Sequence, residues 1–240
     1  MLAPDGRVIM ISGANRGIGL AVAQTLYKAG YCLSLGARNP AALAETTDGW
    51  ATGRVLTARY EAEDKQSHRD WVTATVERFG RLDGLINNAG IAEDVSVEDE
   101  NDDNDEALDR MWAVNVKAPL SMTRTALPHL RRCGAGRIIN VASLAGKAVY
   151  GSGVGYSMTK FAAVALSHAT RHAGWEDGVR CTALCPGYVA TDMTANVETM
   201  ATDQMIEPDD ISEMVLTLLA LSNNASIAEL VVNCRADVMM

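Results

Sequence analysis

The sequence predicts an α/β fold built on a doubly wound parallel sheet, and three observations carry that prediction. Apolar runs of strand length alternate with longer stretches of helical spacing from Val8 to Val232, which implies parallel strands joined by right-handed crossovers. A glycine-bearing turn, Gly13 to Gly19, separates the first run from the first helical stretch, where such folds receive phosphate groups. The 240 residues are 48% hydrophobic and 21% charged, a globular balance that rules out wholesale disorder. No repeat or long linker divides the chain, so residues 1–240 are expected to close as one domain.

The elements follow in order. Val8 to Ile11 reads as a buried strand ending at Ser12-Gly13. Ile18, Ala21, Val22 and Leu26 form one helical face, and Gly30 stops that helix. Tyr31 to Gly36 is a second strand and Arg54 to Ala58 a third. Asp64 to Phe79 is helical through Trp71, Val72 and Val76 and ends at Gly80, and Leu82 to Ile86 is the fourth strand. Leu108, Trp112, Val116 and Leu120 predict a long helix over Glu106 to Arg132, which Pro119 and Pro128 should kink or break. Arg137 to Val141 and Val179 to Leu184 are strands with a helix from Tyr156 to His172 between them; Ile211 to Leu221 is helical and Glu229 to Val232 a last strand.

Charge and cysteine content narrow the function. A net charge of −9 without a Lys/Arg cluster argues against nucleic acid. No apolar run is long enough for a membrane span, and Met1 to Arg7 carries no signal-peptide core. Five scattered cysteines, an odd number, point to reduced thiols and a cytoplasmic setting. Glu98 to Glu106 holds seven carboxylates in nine residues without EF-hand spacing, and reads as a solvated loop opening a helix N-terminus rather than a metal site.

Two residue sets carry chemistry. In Ser12-Gly13-Ala14-Asn15-Arg16-Gly17-Ile18-Gly19 the spacing is Gly-x-x-x-Gly-x-Gly. Glycines there let the backbone approach a pyrophosphate that faces free helix N–H groups. Tyr156 and Lys160 stand at i and i+4, on one helical face. A phenol, with a pKa of about 10, is a poor acid–base group near neutrality, and an adjacent ammonium favours its phenolate. Ser143 ends the fifth strand, where an α/β sheet presents side chains to a ligand crevice. Alone, a Tyr–Lys pair at this spacing usually decorates a helix surface.

Taken together, the glycine turn, Asn87-Asn88-Ala89-Gly90, Asn115, Ser143, Tyr156-Ser157-Met158-Thr159-Lys160 and Pro186-Gly187 resemble the short-chain dehydrogenase/reductase family over essentially the whole chain. The resemblance implies a single Rossmann-like domain: a seven-stranded parallel sheet flanked by three helices on each face. It also implies Tyr156 as the acid/base, Ser143 as the group orienting the carbonyl or hydroxyl, and Lys160 as the ribose ligand that readies the tyrosine. Asn115 would hold a water linking Lys160 to solvent. Gly13, Asn15, Arg16, Gly17, Ile18 and Gly19 would cradle the cofactor. Asn88, Ala89 and Gly90 would lie beside the adenosine ribose, Pro186, Gly187, Val189 and Thr191 near the nicotinamide, and Glu61 with Ala62 near the adenine. The chain departs from the family in Ser12 for threonine, in the acidic loop, and in Asn233, Cys234 and Arg235 where a glycine pair usually follows the last strand.

Ala37 stands where family members preferring NAD carry aspartate, and Arg38 follows it, with Arg16 in the glycine turn. Two guanidinium groups near one ribose suit a 2′-phosphate. NADP(H) is therefore the expected cofactor, with NAD(H) the alternative. The leading reading is an oxidoreductase moving hydride between NADP(H) and a carbonyl or secondary alcohol. Its rivals are a nucleotide-binding regulatory protein on the same fold with little turnover and a metal hydrolase built on His168 and His172, which lack the glutamate of a His-Glu-x-x-His helix. Residues 188–208 are expected to form a mobile substrate lid, with Met193, Met200 and Met205 as adaptable apolar contacts. Apolar positions on more than one side of the helices, Met111, Leu120, Phe161, Val164 and Leu166, together with the family's habit, imply a homodimer or homotetramer.

Overall fold

The computed structural model describes residues 1–100 and 104–236. Seven strands form one parallel sheet: β1 (Val8–Ser12), β2 (Cys32–Ala37), β3 (Val55–Arg59), β4 (Gly84–Asn87), β5 (Arg137–Val141), β6 (Arg180–Pro186) and β7 (Glu229–Val232), in the order β3-β2-β1-β4-β5-β6-β7. The chain runs outward from β1 through β3, then crosses back to place β4 against β1. This reversal opens a crevice beyond Ser12 and Asn87, the topological switch point where such sheets take ligands.

Alternate residues of each strand enter opposite layers. On one face α1 (Gly17–Ala29) and α6 (Pro208–Ala220) set Val22, Leu26, Ile211, Val215 and Leu219 over Ile9, Ile11, Leu33 and Leu35. On the other, α2 (Lys65–Phe79) and α4 (Ala118–Arg132) cover Met10, Leu85 and Ile138 with Trp71, Val72, Met122, Ala126 and Leu130. Beside them α5 (Gly155–Gly174) packs Ala163 and Val164 on Ala183 and Cys185. Each fully buried Leu or Ile contributes about 1.5–3 kcal/mol.

The second face thus has its three helices, while on the first the third position is filled by short 3₁₀ turns at Pro40–Leu43 and Thr52–Arg54. Pro40 can start a helix, but Thr46-Thr47-Asp48-Gly49 cannot extend it: the run favours turns, and Gly49 has φ 71°. Leu43 still fills the core, and Trp50 closes the gap by stacking on Tyr27 at 4.1 Å.

The long helix read over Glu106 to Arg132 is two helices, α3 (Asp105–Trp112) and α4, joined by a π turn at Ala113–Lys117. Neither proline causes the break in the way the sequence suggests. Pro119 sits in the first turn of α4, where no N–H is needed, and the change of winding centres on Asn115. Part of the acidic stretch, residues 101–103, lies outside the described residues; Asp105 and Glu106 occupy the first turn of α3. The five cysteines are free. Among the described residues no helix is long and apolar enough to cross a membrane.

Candidate active site

The glycine turn is built for close approach. Gly13 and Gly17 adopt φ 66° and 52°, and a Cβ on Gly19 would stand 2.2 Å from the Gly13 carbonyl oxygen. At α1 the N-cap, Arg16, is extended and makes no side-chain cap, and the first turn carries no acid. The first-turn N–H groups therefore face the crevice without a side-chain acceptor, which fits a pyrophosphate. Ser12 braces the turn from below: its Oγ accepts from the Asn88 and Ala89 N–H groups at 3.0 and 3.1 Å. Asn88 Nδ2 returns bonds to the Ser12 and Gly13 carbonyls at 3.0 and 3.2 Å, clamping β4 to the turn.

Tyr156, Lys160 and Asn115 meet at the mouth of the crevice. Lys160 is only 6% exposed; its Nζ donates to the Val141 carbonyl at 2.8 Å and lies 5.4 Å from the centre of the half-buried Tyr156 ring. Its ammonium is thus held by a carbonyl oxygen, and two of its three donors remain for other partners. In the π turn, Asn115 accepts from the Ile91 N–H at 2.9 Å and donates to the Ile91 carbonyl at 2.8 Å and to Thr159 Oγ1 at 3.1 Å. Thr159 donates on to the Tyr156 carbonyl at 2.8 Å. Gly90 completes the cluster: a Cβ there would lie 3.3 Å from Asn115 Oδ1 and 3.7 Å from Lys160 Nζ. Ser143 begins a 3₁₀ turn (Leu144–Gly146) past β5, with its Oγ accepting from the Ala145 N–H at 3.1 Å and pointing 3.5 Å from the Pro186 carbonyl oxygen.

The side of the crevice lined by Ala37, Arg38, Arg16 and Glu61 is held more loosely. Ala37 is buried at the end of β2 and Arg38 is exposed. Arg16 is also exposed and pairs with Asp192 at 3.3 Å, a partner that sequence reading missed because a lone surface acid carries no signal. Glu61 is fixed through its backbone: its N–H donates to Ser67 Oγ, and its carbonyl accepts from His68 Nε2 at 3.0 Å. His68 Nδ1 then faces Ser121 Oγ at 2.9 Å. Burial pushes His68 below the ordinary histidine range.

Past Pro186, the Gly187 N–H donates to the Val232 carbonyl, and Val189 forms an isolated parallel bridge to Ile206. Thr191 lies over Gly17, whose Cβ would meet its methyl at 3.2 Å. Of the three methionines singled out here, Met193 is exposed while Met200 and Met205 are buried. The tail lies on this segment: Cys234 Sγ is 3.6 Å from Met200 Sδ, and Arg235 donates to the Thr199 carbonyl at 2.9 Å. His168 faces Glu229, and among the described residues no group of three or more His, Cys, Asp or Glu is arranged to hold a metal.

Comparison with known proteins agrees with this fold. Residues 7–202 match the family described as short chain dehydrogenase. The chain is 44% identical over 230 residues to an agropine synthesis reductase of Rhizobium rhizogenes, covering 96% of this chain and 53% of that protein, so it spans about half the length of that relative. It is 35% identical over 193 residues to a 2-(R)-hydroxypropyl-CoM dehydrogenase of Xanthobacter autotrophicus, covering 78% of this chain and 76% of the other. An alcohol dehydrogenase from the archaeon Thermococcus sibiricus, solved with 5-hydroxy-NADP, superposes with a TM-score of 0.83 at 29% identity, covering 94% and 95% of the two chains.

Proposed function

This chain belongs to the short-chain dehydrogenase/reductase family of oxidoreductases, and from that premise we propose that it transfers a hydride between NADP(H) and a carbonyl or secondary alcohol, with Tyr156 as acid/base. The observation that carries the reading is the buried Lys160 ammonium, held by the Val141 carbonyl beside the Tyr156 ring and next to Gly90 and Asn115. From that place beside the cation Tyr156 exchanges a proton with a substrate oxygen. Ser143 orients that oxygen, and Lys160 uses its remaining donors on the ribose. Asn115 fixes the Ile91 backbone and Thr159, and so holds the wall around the ammonium. Bound nicotinamide would supply or accept the hydride. The relative named for its hydroxypropyl group supports a secondary alcohol as the substrate class.

The preference for NADP(H) rests on Ala37, which offers no carboxylate to a ribose 2′-OH, and on Arg38 and Arg16. Arg16 has to exchange Asp192 for the phosphate, a small cost because the pair is exposed, worth about 0–1 kcal/mol. Residues 188–208 act as the substrate lid. Met158 and Phe161, exposed on α5, mark the face on which two copies pair. The test is a panel of ketones, aldehydes and secondary alcohols read by NADPH absorbance, with Tyr156→Phe in parallel. Turnover that depends on Tyr156 is the expected result, and a substrate turned over equally well by the variant refutes it.

A further inference from the structure

Glu229, the first residue of the edge strand β7, stands outside the site described above. Its side chain is 23% exposed, and both of its oxygens are engaged. Oε2 accepts from Lys147 Nζ at 2.5 Å, and Oε1 faces His168 Nε2 at 2.6 Å. These two partners belong to the two elements that carry the acid/base set.

Lys147 closes the 3₁₀ turn that Ser143 opens. The Lys147 N–H donates to the Leu144 carbonyl at 2.8 Å, and the Gly146 N–H to the Ser143 carbonyl at 2.9 Å. His168 lies on α5, about two turns beyond Lys160. The turn and the helix also touch directly, since a Cβ on Gly146 would fall 2.6 Å from the Lys160 carbonyl oxygen. Packing at Gly146 fixes how close the two elements come. A carboxylate gripping one side chain on each ties the two elements together a second time. Lys147 first, and His168 after it, hold the Glu229 carboxyl below its ordinary range.

We propose that Glu229 is a positioning residue: by joining Lys147 to His168 it holds the Ser143 turn in register with the helix bearing Tyr156 and Lys160. The inference rests on the proposed roles of Ser143 and Tyr156. A misplacement of about 1 Å in a reacting group can cost about a hundredfold in rate, and a register shift relayed through a turn should cost less. Glu229→Ala should lower kcat about tenfold and leave the Kd for NADPH unchanged. Lys147→Ala should do the same, and the double variant should be no worse than either single one, the signature of residues acting as one unit. Lys147→Arg, which keeps the charge and the donor, should restore turnover.

A second measurement does not depend on turnover. Amide hydrogen exchange in free Glu229→Ala or Lys147→Ala should speed at Ala145, Gly146 and Lys147 and stay unchanged in β5. Lys147→Ala serves where Glu229→Ala fails to fold, because it leaves the Glu229–His168 contact in place. Normal kcat and normal exchange in these variants, with Tyr156→Phe inactive, overturn the inference and leave the functional reading standing. Losses that add in the double variant, or that fall equally on NADPH binding, also overturn it, because they mark general destabilisation. Full turnover by Tyr156→Phe overturns both.

Discussion

Both ends of the parallel sheet bury charge, three groups at the N-terminal end and one at the C-terminal end, and use it in opposite ways. At the N-terminal end, Arg7, Asp83 and Arg137 are 6%, 2% and 4% exposed. Asp83 accepts from the Val8 N–H and takes both arms of the Arg81 guanidinium, and Arg7 stands 3.9 Å from it. Arg7 donates to the Leu219 and Ala135 carbonyls, and Arg137 to those of Gly136 and Leu221. Both guanidinium groups thus meet the C-terminal end of α6, where the helix dipole welcomes cations. Burial, with Arg7 nearby, pushes Arg137 down to about 10. At the C-terminal end the buried cation is Lys160, held by one carbonyl with donors to spare, and the Ser143 hydroxyl, which accepts from the Ala145 N–H, donates only at the long distance of 3.5 Å to Pro186. A charge held by several partners is structural, whereas one left with donors to spare has capacity for a ligand.

The comparison breaks most sharply at Tyr156. Tyr156→Phe should lower turnover at least a hundredfold, the low end of the usual general acid–base contribution of about 10²–10⁴, while NADPH binding and the denaturation midpoint stay near wild type. Asp83→Ala is the opposite experiment. Removing one partner of a buried charge group costs about 3–5 kcal/mol, so urea unfolding should show that loss while turnover per folded molecule is unchanged. If Asp83→Ala slows catalysis in the folded protein, the two ends are coupled and the division fails.

Cofactor choice sharpens the picture at the open side of the cleft. Arg38→Ala should weaken NADPH binding about ten- to thirtyfold, the low end for a charge pair because the site is exposed, and leave NADH almost untouched. Ala37→Asp should act in the same direction on NADPH and strengthen NADH by offering its ribose an acceptor. Titration of each variant with both dinucleotides decides it. Equal affinities in wild type, unmoved by Arg38→Ala, would show that the arginines serve solvent alone.

The smallest effect concerns His68, buried between Glu61 and Ser121. Burial lowers its proton affinity in the folded state, so on acidification the unfolded chain takes the proton first. Stability from this group is complete above the ordinary histidine value of about 6.5 and falls as pH drops below it, by at most about 1.4 kcal/mol for each pH unit. Urea midpoints from pH 7.5 to 5.5, wild type against His68→Gln, should show a steeper decline in wild type. Parallel slopes would mean that His68 takes up its proton equally readily in the folded and unfolded chain.

Much of this was legible in the residues. Short apolar runs placed the strands, Gly30 and Gly80 stop their helices in the left-handed conformation, and the i, i+4 spacing put Tyr156 and Lys160 on one face of α5. These are local rules, which act within a few residues of chain. What escaped is what one segment does to another. Asn115 reads as a mid-helix residue near two prolines, yet the helix changes winding there, where its amide pairs with Ile91 on a separate loop. The segment after Asn39 has the length for a helix, but its turn-forming residues leave 3₁₀ turns, and a stacked Tyr27–Trp50 pair covers the gap. Arg16 finding Asp192, and Glu229 finding both Lys147 and His168, are meetings across 82 residues and more for Lys147 and Arg16, and 61 for His168. The sequence by itself determined the order of the strands and most of the helices and singled out the candidate reacting groups, because apolar runs and helical spacing are properties of the local chain. Only the tertiary structure decided which polar groups were already satisfied and which were left for a ligand, because a hydrogen bond depends on distance in space and not along the chain.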